Sequence, residues 1–135
     1  MAVAGWILDK SAAARAADET IAAQLDDLAG TLYLCAVAQL EQLYSARSAR
    51  HYDELDAELR ASFPIVDAPG DVFDLALRLQ HDLAHHHGMW HRTPIPDLLI
   101  ATTALHHGLG VVHVDADFDR IAEVRPLVVR RLRAG

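Results

Sequence analysis

A chain of 135 residues has the length of one ordinary domain and can enclose a hydrophobic core. Its 52% hydrophobic and 23% charged content fits a water-soluble globular protein and excludes a chain dominated by disorder. The formal charge of −7 disfavours nucleic-acid binding by bulk electrostatics, unless several of the 19 acids hold divalent cations.

In chain order, residues 3–8 read as a short buried strand ending at Asp9. Ser11 is a candidate cap for a helix whose apolar positions run through Ile21, Leu25 and Leu28 until Gly30. Residues 31–35 look like a second strand, leading into a helix over residues 36–50. Leu55, Leu59 and Phe63 continue a helical pattern to Pro64, and residues 64–67 suggest a third strand before a Pro69-Gly70 turn. A helix over residues 72–87 follows, stopped by Gly88, with a basic loop over residues 89–92. Thr93 then caps a helix with Pro94 at its first position, running through Leu105 to Gly108. Residues 110–114 form the clearest strand, Phe118 opens a short final helix, and residues 127–129 suggest a last strand with a basic end. Strands alternating with helices imply an α/β fold, a central parallel sheet flanked by helices in three layers.

No apolar run reaches the roughly 20 residues needed to cross a bilayer, so no membrane association is expected. The first nine residues lack the basic start of a secretory leader, and Cys35 has no partner for an internal disulfide. A single domain in a reducing cytoplasm is the expectation.

The acids carry the functional signal. Ligands of open α/β sheets bind at the carboxyl ends of strands, where Asp9 and Asp115 stand. Helix capping explains either acid equally well. Glu41 lies on or beside the apolar face of its helix, a costly place for a carboxylate unless it is paired, with Arg15 or Arg47, or bound to a cation. Asp97, in the first turn of its helix, is accounted for by the helix dipole alone, at about 0.3–1 kcal/mol. Together with Asp117, these acids suit a site for Mg²⁺ or Mn²⁺, which take oxygen ligands. Such ions activate water and stabilise a leaving oxygen in phosphodiester hydrolysis.

Four stretches resemble PIN-domain motifs of the VapC type: Leu8-Asp9-Lys10-Ser11-Ala12, residues 39–47 around Glu41, Pro94-Ile95-Pro96-Asp97, and Val114-Asp115-Ala116-Asp117. The resemblance covers about residues 5–125 and makes residues 1–135 a single PIN domain. It implies a Mg²⁺- or Mn²⁺-dependent endoribonuclease, the toxin of a bacterial toxin–antitoxin pair. Its substrate would be structured RNA such as tRNA or rRNA, and a VapB-type antitoxin would hold it inactive. The resemblance further implies a homodimer. Asp9 and Asp97 are then the principal metal ligands, Glu41 and Asp117 complete the cluster, and Asp115 is a further ligand or a supporting acid. Ser11 matches a small hydroxyl residue that bonds to the site.

Other classes fit less well. An aspartyl phosphatase needs Asp-x-Asp after its first strand, where this chain has Asp9-Lys10-Ser11. A receiver domain needs a late lysine, and Lys10 is the sole lysine. A PIN-fold binding protein without chemistry is disfavoured because all the acids are present. Histidines 81, 85, 87 and 91 fall at fourfold spacing but lack a nearby Glu motif or Cys pair, which leaves them as solvated helix-end residues or RNA contacts. His113 serves either a core, an orienting or a proton-transfer role. Arg15, Arg47, Arg50 and Arg92 pair on the surface or meet phosphate, and Trp90 stacks on a base or packs locally. Tyr44, Leu55, Leu59 and Phe63 are candidates for a dimer face or the core.

Overall fold

The computed structural model describes residues 3–86 and 92–134. It contains, in chain order, β1 (Trp6–Leu8), α1 (Lys10–Ala13), α2 (Glu19–Asp26), β2 (Leu32–Cys35), α3 (Ala36–Leu43) and α4 (Ala49–Ser62). There follow β3 (Ile65–Val66), α5 (Val72–His85), α6 (Ile95–His107), β4 (Gly110–His113), α7 (Asp117–Ala122) and β5 (Val129–Arg131). The five strands form one parallel sheet in the order β3-β2-β1-β4-β5, flanked by the helices, as the alternation predicted.

The strand order decides where a site can form. From β1 the chain steps outward through β2 to β3, then returns across the sheet to β4 and steps the other way to β5. The direction of winding therefore reverses between β1 and β4, and that reversal opens a crevice beyond their carboxyl ends. Asp9 follows β1 there, and Asp115 and Asp117 follow β4. The two strands meet closely because Trp6 lies opposite Gly110, where a Cβ would stand 2.6 Å from the indole ring.

Ile7, Leu34, Val111 and Val112 fill the centre of the sheet with essentially no exposure. Strands buried on both faces read as continuous apolar runs, which explains why 110–114 was the clearest strand. Ile100, Ala101 and Ala104 of α6 and Phe118 and Ile121 of α7 pack into the same core. No helix among the described residues is long and apolar enough to cross a membrane.

Several boundaries differ from expectation, each for a local reason. Asp9, not Ser11, caps α1: its carboxylate accepts the Ser11 N–H at 3.0 Å. The single helix expected from Ser11 to Gly30 is two, because the chain turns over residues 14–18 and Asp18 caps α2 through the N–H groups of Thr20 and Ile21. The helix expected over residues 36–50 stops at Leu43, and extended Ser48 (φ −160°) caps α4 by accepting the His51 N–H. At α6 the cap position falls on Pro94, and Thr93 is buried rather than capping. That helix runs to His107 and ends on Gly108, whose φ of +67° favours glycine. The last strand lies at Val129–Arg131, slightly beyond the expected residues. Gly88, Trp90 and the loop expected over residues 89–92, except Arg92, lie outside the described residues, as do His87 and His91.

Candidate metal centre

Three of the five acids singled out from the sequence converge. Asp9 arrives at the end of β1, Glu41 from α3 and Asp97 from the first turn of α6. One carboxylate oxygen of each lies within 4.8 Å of the other two. The convergence follows from packing, since α3 lies against both α1 and α6. Asp9 is 3% exposed and Asp97 8%.

These carboxylates are poorly satisfied by the protein. Asp9 uses Oδ2 to accept the Ser11 N–H, while its Oδ1 is buried with no hydrogen-bond partner. Glu41 Oε1 is buried in the same state. Burial, then the charges of Asp9, Asp117, Asp115 and Glu41, push the Asp97 carboxyl up to about 8. Glu41 is shifted upward by burial and by Asp9, against the lowering effect of Lys10. Buried carboxylates crowded this closely, with oxygens the protein leaves unmet, have a chemical use when a cation neutralises them.

Asp115 and Asp117 flank the three without joining them. Asp115 is exposed, and Asp117 opens α7 with its Oδ1 3.5 Å from Arg120 Nη1. Both are near enough to raise the Asp97 pKa. Ser11 links the two strand ends: its N–H bonds Asp9, and its Oγ accepts the Val114 N–H at 3.2 Å. His113 is wholly buried on β4, where its Nε2 lies 3.5 Å from Asp119 Oδ1 and its ring packs 5.2 Å from Phe118. Neither of its ring nitrogens finds a hydrogen-bond partner, and the acid nearest to it is Asp119 of α7 rather than one of the converging three.

Neither Arg15 nor Arg47, the partners expected for Glu41, pairs with it. Instead Lys10 Nζ stands 3.6 Å from Glu41 Oε2, and the Arg15 guanidinium donates to the Ser11 carbonyl. The signal for Lys10 was its position beside Asp9 as the only lysine. Away from this crevice, the His81 and His85 rings lie 4.3 Å apart, and among the described residues no third ligand joins them.

A parallel α/β sheet with three buried acids converging at its point of reversal defines a class of α/β proteins whose ligand crevice is lined by carboxylates able to hold a cation. Residues 2–124 match the family model of the PIN domain. The chain is 57% identical over 124 residues to Ribonuclease VapC17 of Mycobacterium tuberculosis, covering 90% of each. It is 38% identical to Ribonuclease VapC21 of the same organism, over 88% of this chain and 87% of that one. The fold also resembles a DNA-bound VapBC structure from Salmonella typhimurium, at 16% identity and a TM-score of 0.73 over 94% of this chain and 97% of that one. A VapBC2 structure from Rickettsia felis, bound to a promoter DNA fragment, matches at 16% identity and a TM-score of 0.71 over 95% and 98%. The chain belongs to the PIN domain family, within its VapC ribonucleases.

Proposed function

We propose that this chain is a Mg²⁺- or Mn²⁺-dependent endoribonuclease that cuts structured RNA, tRNA or rRNA, and is held inactive by a VapB-type antitoxin in the cytoplasm. The observation that carries this reading is the convergence of Asp9, Glu41 and Asp97 within 4.8 Å, with two buried oxygens left without partners. An all-oxygen donor set without histidine or cysteine fits Mg²⁺ or Mn²⁺ better than zinc.

Asp9 and Asp97 hold the cation as principal ligands, with Glu41 beside them. Asp117, supported by Asp115, serves the outer rim. When bound, a divalent cation supplies Lewis-acid stabilisation of the charge on the scissile phosphate and lowers the pKa of water. The chain's own groups position the rest. Ser11 holds Asp9 in one orientation through its N–H. Glu41 or Asp117 orients the attacking water and accepts its proton. In-line attack by water on phosphorus breaks the P–O3′ bond, and the departing 3′ oxygen takes a proton from solvent, so the products carry a 5′-phosphate and a 3′-hydroxyl.

The test is cleavage of cellular RNA by the purified protein, freed of any partner, with added Mg²⁺ or Mn²⁺ and with chelator. Asp9→Ala and Asp97→Ala are expected to abolish cleavage, and mapped 5′ ends identify the RNA and the site. A 2′,3′-cyclic phosphate product would overturn this mechanism, because it requires attack by the 2′-hydroxyl. Wild-type protein that binds an antitoxin normally yet cuts nothing would establish the non-catalytic reading.

Two surfaces support the partners. A hollow of about 630 Å³, lined by Leu8, Leu25, Leu32, Leu55 and Phe63 among others, runs up to the residue before Asp9 and suits an apolar antitoxin segment. The VapBC complexes among the structural relatives support that partner class. Phe73 and Leu77 on α5 and Ile95 on α6 are 69%, 62% and 65% exposed, and we assign the homodimer to this face. Of the dimer candidates read from sequence, Leu59 is instead buried in the core, Leu55 and Phe63 line the hollow, and Tyr44 is 90% exposed. Leu77→Asp is expected to halve the mass measured by light scattering.

A further inference from the structure

Lys10 sits between Asp9, which enters the acid cluster, and Ser11, which fastens Asp9 in place. Its Nζ lies 3.6 Å from Glu41 Oε2, with the lysine side chain 56% exposed and that of Glu41 17% exposed. Among the described residues, the ion pairs of the arginines fall on acids outside the converging three: Arg50 on Glu54, Arg60 on Asp56, Arg120 on Asp117, Arg125 on Asp82, Arg131 on Asp119. Among the described residues, Lys10 is thus the cation paired with one of the three converging acids, Glu41.

Glu41 divides its two oxygens between different surroundings. Oε2 faces the ammonium, whereas Oε1 is buried without a partner, as is Oδ1 of the 3% exposed Asp9. Glu41 Oε1 and Asp9 Oδ1 are therefore left unsatisfied by the protein, while Glu41 Oε2 is engaged by the lysine. A divalent ion entering among them draws the same carboxylate charge and repels the ammonium. The lysine pair is long and half exposed, so it is weak enough to be exchanged. The flexible stem lets Nζ move to water without disturbing α1.

We propose that Lys10 is a tethered counter-ion that occupies Glu41 in the cation-free protein and is displaced when a divalent cation binds. It thereby sets the cation concentration at which the site fills. This rests on the metal-site reading given above. It assigns Lys10 a positioning role through Glu41, not contact with the reacting atoms.

The experiment is calorimetric titration of the full chain with Mn²⁺, comparing wild type, Lys10→Met, Lys10→Arg, Glu41→Gln and the double variant Lys10→Met/Glu41→Gln. Lys10→Met is expected to bind Mn²⁺ about three- to tenfold more tightly, because it removes a competing charge. Lys10→Arg, which keeps the charge, should stay near wild type. In the Glu41→Gln background the gain from Lys10→Met should largely vanish. A packing role for Lys10 would instead weaken binding or leave it unchanged in Lys10→Met, and either result overturns the proposal. So does a gain that persists undiminished without Glu41. Wild type that takes up no Mn²⁺ would sink the metal-site reading itself, and this inference with it.

Discussion

Burial and four neighbouring carboxylates hold the Asp97 carboxyl near a pKa of about 8, while the unfolded chain returns it to an ordinary value of 3.8. Between those values the native state of the cation-free protein binds the extra proton. The stability contributed by this group is therefore full below the unfolded value and is lost as the pH rises toward 8. Glu41 shifts in the same direction. The melting temperature of chelated protein is expected to fall across that window, and Asp97→Asn should flatten the fall. A cation held at the proposed site would replace the proton, so the rise in melting temperature on adding Mn²⁺ should grow as the pH increases. Chelated protein with the same profile in wild type and Asp97→Asn would contradict this account. Asp97→Asn should also cut cleavage by more than the roughly 10–100-fold typical of groups that only orient a ligand. At this scale the sequence was informative about the acids, because Glu41 on an apolar face demands a compensating charge. It was silent on which charge: Lys10 and Glu41 meet only after α1 and α3 pack.

Caps and ties at element ends separate stability from chemistry. Ser48 caps α4 by accepting the His51 N–H at 3.0 Å and belongs to no group of converging acids. Ser48→Ala should cost about 1 kcal/mol in urea unfolding and leave cleavage per folded molecule unchanged. Ser11 joins the end of β4 to the start of α1, where Asp9 is held. Ser11→Ala leaves the Val114 N–H without that acceptor, at about 1–3 kcal/mol, and should also lower cleavage. Equal loss of activity in both variants would show that the Ser11 tie has no special link to the site. The helix breaks around residues 14–18 and 44–48 were hard to read for a definite reason. Alanine-rich sequence keeps a high helix propensity through a turn, and Asp18 and Ser48 act as caps only once their own backbone is extended.

The whole molecule couples the site to the fold. A cation that binds only the native state stabilises it by mass action, about 2.7 kcal/mol at a hundredfold excess over its dissociation constant. Chelation should reverse that gain, as measured by urea unfolding with and without Mn²⁺. The side of the crevice formed by α7 depends on Phe118, which is 0% exposed against the sheet and beside His113. Phe118→Ala should cost about 3–5 kcal/mol. The sequence by itself determined the alternation of strands and helices, the parallel sheet, and an acid after the first and fourth strands, because apolar periodicity and strand-end residues are local properties. The tertiary structure decided the order β3-β2-β1-β4-β5, the meeting of Asp9, Glu41 and Asp97 with Asp115 and Asp117 at the rim, and the lysine on Glu41. Those depend on where crossovers return and how α3 seats against α6, and residues far apart in the chain meet only when the core closes.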